Sequence, residues 1–261
     1  MRKSIFLLGS WTLGLFFHTG TAIAEQFDSR TILEDTKLYF TAPVRWDAKH
    51  WMYFGGTLLA IAAAHEGDKT VRDHFAVGDK ALLNGKDKNS SRDALPAAAL
   101  VGGTWLYARI VDDEAGDIEA YSMLEAAGFS AVSTEVLKFA AGRQRPNETT
   151  DVDSWRKSGS SFPSLHSSAA FAIGTVFAES GGEEYRWIRR VAGYGMAAAT
   201  SYARLHDNVH WLSDTVAGAA IGIATARFVL NRREERQQKL EMTLVPMAGG
   251  GAMLGFQMQL P

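Results

Sequence analysis

At 261 residues the chain fits one large domain, and a hydrophobic share of 46% allows a sizeable core. A net charge of -2 gives no basic excess to attract nucleic acid. With no cysteine there is no disulfide, no thiol nucleophile and no cysteine-ligated zinc.

The N-terminus runs from Arg2 and Lys3 through the apolar stretch IFLLGSWTLGLFF to HTGTAIA, just before Glu25. A basic, apolar, then small order ending in Ala22-Ile23-Ala24 predicts a cleaved signal peptide over residues 1–24. The alternative is an uncleaved anchor helix, for which the apolar run is short of the roughly 20 residues a span needs. Either reading exports the rest, to the periplasm or a membrane surface.

Residues 25–239 read as one helical domain. Helices are predicted over 47–65, 93–111, 118–141, 164–179, 185–204 and 209–231, between clusters of Gly, Asp, Asn and Ser. The expected fold class is all-α, a bundle of about six core helices. The small-residue runs AAALVGG, VAGYGMAAA and VAGAAIGIA suit helices whose backbones approach closely. The cleanest apolar runs, Trp51 to Ala64 and Ala94 to Ala108, fall short of the roughly 18 residues of a membrane span. Together with a mean hydropathy of -0.10, they favour a water-soluble or peripherally attached bundle over an embedded one.

The tail, 240–261, changes character. Leu240, Met242 and Leu244 alternate with polar residues, three glycines follow, and Leu254, Phe256, Met258 and Leu260 alternate again. This predicts a C-terminal β-hairpin, serving as a cover for apolar bundle surface or as a flap that contacts membrane or lipid.

Three segments carry chemistry: KFAAGRQRP (Lys138 to Pro146), FPSLHSS (Phe162 to Ser168) and ARLHDNVHWLSD (Ala203 to Asp214). Cations to hold a phosphate, one histidine to attack it, another to protonate the leaving group and a carboxylate to orient the attacker make up a phosphatase site. A helix beginning at Val209, capped by Asn208, would put His210 in its first turn and Asp214 on the same face. Asp214 would then take a hydrogen bond from one imidazole nitrogen and leave the other free to attack. Ser164 precedes an Ala-rich helix whose N-terminus suits an anion, and His166 in its first turn is placed to protonate a leaving oxygen.

The spacing of these segments resembles the type 2 phosphatidic acid phosphatase superfamily, which also holds bacterial class A acid phosphatases and vanadium haloperoxidases. That pattern is Lys, six residues, Arg-Pro; then Pro-Ser-Gly-His; then Ser-Arg, five residues, His, three residues, Asp. Lys138, Arg145, Pro146, Pro163, Ser164, His166, Arg204, His210 and Asp214 match it, whereas Leu165 stands at the Gly and Ala203 at the Ser. The resemblance implies a phosphohistidine on His210, a phosphate clamp of Lys138, Arg145, Ser164 and Arg204, and catalysis with no metal or cofactor.

The expected protein is an exported phosphatase of phosphate monoesters or pyrophosphates. Its partner is a phosphorylated lipid or small phosphate ester, with membrane-surface contact and no nucleic acid. The alternatives are a broad-specificity periplasmic acid phosphatase, more remotely a haloperoxidase, or a catalytically silent protein of the same fold, which Leu165 and Ala203 would allow. Arg143 is taken as a solvated or helix-end charge and His206 as an exposed loop histidine. The acidic run Asp112, Asp113, Glu114, Asp117 and Glu119 is taken as a solvated connector.

Overall fold

The computed structural model describes residues 29–77, 87, 89–241, 245–247 and 251–253. The expected signal peptide and the outer tail with Phe256, Met258 and Leu260 lie outside them. Among the described residues there are seven α-helices: α1 (Ser29–Thr41), α2 (Ala48–Phe75), α3 (Ser90–Val111), α4 (Glu114–Ala141), α5 (Leu165–Glu179), α6 (Arg186–His206) and α7 (Leu212–Glu241). The fold is all-α. Beyond α7, Val245–Met247 pairs antiparallel with Gly251–Met253, three residues a side, and the C-terminal β-hairpin expected over 240–261 is not supported beyond this ladder.

All six expected helices keep their bounds to within four residues at the N-terminal side, and α2 and α7 run about ten residues further at the C-terminal side. Asp47 starts α2 by accepting the His50 N–H at 2.9 Å. Charged residues then carry that helix on, with Lys69 and Asp73 paired one turn apart. The helix the sequence reading missed is α1. Tyr39 anchors it, stacking on Phe129 of α4 at 5.0 Å, meeting Phe228 of α7 edge-on and bonding Ser133 at 2.9 Å. Asp35, buried, binds Arg232 at 2.8 Å and also Arg236.

Helix α5 is the centre, packed on α4, α6 and α7; α3 leans on α4, and α2 on α7. The core is mostly small: Ala126, Ala170, Ala172, Ala197 and Ala226 around Met123, Ile173 and Val176. Close approach is the reason. A Cβ on Gly218 of α7 would sit 2.5 Å from the Ser164 carbonyl oxygen, so glycine is what lets α7 lie against the start of α5.

The acidic run is only partly solvated. Asp113 caps α4 at the Ala115 N–H, while Asp117 and Glu119 are buried and pair with Arg109 and Arg189. The bundle's outside is strongly apolar. Trp51, Met52, Tyr53, Leu58 and Leu59 of α2, Leu95, Trp105, Leu106, Tyr107 and Ile110 of α3, and Val132, Val136 and Phe139 of α4 are exposed, Phe139 by 93%. Helix α3 and the Leu212–Gln237 part of α7 are long and apolar enough to cross a bilayer.

Candidate functional site

The three sequence segments meet at one end of the bundle, and helix termini put them there. Gly142, in the left-handed conformation at φ 54°, closes α4 by donating to the Lys138 carbonyl at 2.9 Å and turns the chain toward Arg143 and Arg145. The following loop folds back on this turn: Gln144 N–H bonds Ser154 O, Lys157 N–H bonds Gly142 O and Ser161 N–H bonds Arg143 O. Ser164 then caps α5, its hydroxyl accepting from the Ser167 N–H at 3.4 Å, and its own N–H donates to Asp214 O at 3.0 Å.

The third segment corrects the expected geometry. Asn208 does not cap a helix; it ends one. At φ 56° it adopts the left-handed conformation that Asn tolerates, its N–H bonds Leu205 O, and the Val209 N–H bonds Arg204 O. These paired bonds terminate α6 just after Arg204. Helix α7 starts at Leu212, so His210 precedes it and only Asp214 lies in its first turn. There Asp214 Oδ2 accepts the Trp211 N–H at 2.9 Å, half of a capping box. The same oxygen faces His210 Nδ1 at 3.3 Å, which assigns the ring proton to Nδ1 and leaves Nε2 free.

Arg145 and Arg204 converge on one carboxylate. Asp87 Oδ2 is held by Arg145 Nη1 at 3.1 Å and by Arg204 Nη2, and Asp87 Oδ1 lies 3.3 Å from Arg204 Nη1. Asp93, in the first turn of α3, takes a further Arg204 bond at 2.9 Å. Arg204 is fully buried, and its Nε–H has no acceptor among the described residues. Two guanidinium groups gripping two oxygens form the arrangement that a phosphate would meet. Burial pushes the Asp87 carboxyl up, but the bonds and charges of Arg204 and Arg145 outweigh it and bring it down to about 2.

His166 sits in the first turn of α5, as expected, with Nε2 at 2.9 Å from Ser90 O and 3.2 Å from Ser90 Oγ. Burial, then the Arg204 charge, lowers its pKa. Burial likewise takes His210 down to about 4; the Asp214 contact opposes this, and Arg145 and Arg204 add to it. His210 is therefore neutral near pH 7. Lys138, nearly buried in the last turn of α4, pairs with Glu135 at 3.1 Å instead of with the Asp87 carboxylate. His206 ends α6, stacked on Tyr202 and edge-on to Phe75.

Sequence reasoning missed Arg143. It is fully buried, not solvated, and binds Asp214 Oδ1 and Asp68 Oδ2 at 2.7 Å each. It also missed Asp87, Asp93 and Ser90. The signals were thin, since each partner comes from α2, from α3 or from just before α3, far from the motifs in sequence.

The helix ends of this all-α bundle thus gather two arginines on one carboxylate and a histidine on another. Residues 119–238 match the PAP2 superfamily, and the chain carries a domain of that superfamily. It is 40% identical over 86 residues to a lipid A 1-phosphatase of Porphyromonas gingivalis, a stretch that is 33% of this chain and 17% of that protein. It is 29% identical over 126 residues to a PA-phosphatase related-family protein of Dictyostelium discoideum, 42% of this chain and 46% of that one. The chain thus spans less than half the length of these two relatives. A crystal structure of a transmembrane PAP2 type phosphatidylglycerolphosphate phosphatase from Bacillus subtilis aligns with 70% of this chain and 94% of its own, at 19% identity and a TM-score of 0.47.

Proposed function

We propose that the protein hydrolyses a phosphate monoester or pyrophosphate carried by a lipid, through a phosphohistidine on His210. The observation that carries this reading is the convergence of Arg145 and Arg204 on a single carboxylate beside the His210–Asp214 pair. In the reaction, the phosphoryl group replaces Asp87 in the cradle. His210 Nε2 attacks phosphorus, the bond to the leaving oxygen breaks, and His166 gives that oxygen its proton. His166 then takes a proton from water, whose oxygen attacks the phosphohistidine and frees inorganic phosphate and His210. Arg145 and Arg204, with Lys138 and Ser164, stabilise the charge on the five-coordinate phosphorus. That is the charge a metal ion would otherwise supply, so activity is expected to persist in excess EDTA and to be inhibited by vanadate.

A lipid substrate fits the surface. The exposed large apolar side chains of α2, α3 and α4 are more than a water-soluble bundle needs to leave outside. What this surface supports, against the water-soluble or peripheral expectation, is an exported protein set into a membrane, with α3 and the Leu212–Gln237 part of α7 as spans and the cradle at the bundle's end near the headgroups. The testing experiment is a phosphate-release screen of purified protein against lipid phosphates, isoprenoid pyrophosphates and soluble monoesters. Release from lipid substrates well above release from soluble monoesters is expected; equal rates would favour a broad-specificity phosphatase, and no release from any would overturn the reading.

A further inference from the structure

Arg143 is a buried cation that the reaction above does not use. Its Nη1 donates to Asp214 Oδ1 at 2.7 Å and Ser213 Oγ at 2.8 Å; its Nη2 donates to Asp68 Oδ2 and to Val152 O at 2.7 Å. The rings of Trp155 and Trp211 lie 4.4 and 5.1 Å from its guanidinium carbon. Burying an arginine with two carboxylates is a poor way to gain stability, because desolvation offsets most of the attraction. The geometry gives it another use. Asp214 Oδ2 serves His210, Ser161 and the Trp211 N–H, and Oδ1 is held by Arg143. With Oδ1 pinned, the carboxylate has no freedom to rotate, and Oδ2 stays on the imidazole.

We propose that Arg143 is a positioning residue for the attacking histidine: it fixes Asp214 and, shared between Asp214 and Asp68, sets how strongly Asp214 acts on His210. The inference rests on His210 being the attacking group. The charged groups facing His210 are Asp214 from α7, Arg145 from the loop after α4 and Arg204 from α6. Those facing Arg143 are Asp214, Asp68 and His65 from α2, and His65 in turn touches Asp153 at 2.9 Å. Removing the Arg143 charge leaves Asp214 less neutralised, so it holds a proton on His210 more strongly and raises the histidine's pKa. Neutralising Asp68 instead concentrates the guanidinium charge on Asp214 and has the opposite sign.

The test uses the full chain in detergent micelles, with Arg143→Gln, Arg143→Lys and Asp68→Asn beside wild type. Nitrogen NMR of the histidine side chains reads the His210 titration and which ring nitrogen carries the proton, independently of turnover. In Arg143→Gln the His210 pKa is expected to rise by about one pH unit, with kcat about a hundredfold lower at a KM within about threefold. Arg143→Lys recovers about a tenth or more of the activity. Asp68→Asn leaves the His210 pKa unchanged or lower. An unchanged His210 pKa and tautomer in Arg143→Gln, or a rise in Asp68→Asn as large as in Arg143→Gln, would overturn the proposal. If Arg143→Gln does not fold, a His210 pKa in Asp68→Asn that lies above the wild-type value overturns it as well. Failure of wild type to hydrolyse any phosphate ester overturns the phosphatase reading, while the titrations still decide the role of Arg143.

Discussion

His210 and Asp214 meet through Nδ1 and Oδ2 at 3.3 Å, although only Asp214 belongs to α7. The ring is therefore aimed by the non-helical turn that carries it, and the carboxylate by the helix.

Removal of that ring is the direct test of the nucleophile. His210→Ala is expected to lower turnover by roughly 10⁴-fold or more while helical circular dichroism is retained. Acid-labile radiolabelled phosphate should be trapped on wild type after rapid quenching. Label retained by the variant would move the nucleophile elsewhere.

The pH profile follows from the buried position of His210. Burial lowers its pKa to about 4, so the ring is neutral and able to attack above that value and is protonated below it. The acid limb of kcat/KM, which reports the free enzyme, should fall as pH drops through about 4. A limb near the ordinary histidine value of about 6.5 would contradict this.

Asp87 supplies a third prediction. Its carboxylate bridges Arg145 and Arg204, so an incoming phosphate has to displace it. Charge-assisted bonds contribute about 1.5–3 kcal/mol, so Asp87→Ala should tighten vanadate binding by about tenfold or more. An inhibition titration reads this directly, and an unchanged vanadate affinity would show that the carboxylate does not compete for the cradle.

Membrane association is checked by extraction. With Trp105, Tyr107 and Ile110 of α3 and Phe139 of α4 turned outward, the full protein should stay in the membrane pellet after high salt and alkaline carbonate. Release into the supernatant would mean that these faces are covered by protein.

The helical bundle was legible in part because the Gly and Ala runs at α6 and α7 mark close packing, and Gly218 meets the Ser164 carbonyl as such a run implies. The cradle was legible as far as Arg145, Arg204, His166, His210 and Asp214, whose spacing survives in one stretch of chain. Arg143 was not, because what makes it buried is Asp68 and Trp155, and no local pattern links them. The outward apolar surface was not legible for a similar reason. Leu95, Leu106 and Ile110 of α3 are exposed together because they fall on one side of the helix, which shows in the fold and not in the length of the run Ala94 to Ala108.

The turn at Asn208 also makes the five residues between Arg204 and His210 a ruler. That count is what it takes to stop one helix, reverse through a single left-handed residue and reach the threshold of the next. Adding or removing one residue there would leave both helices intact and both side chains present, yet carry the histidine away from the arginine's anion. Tolerance to length change, usually highest in loops, should therefore be lowest in this one.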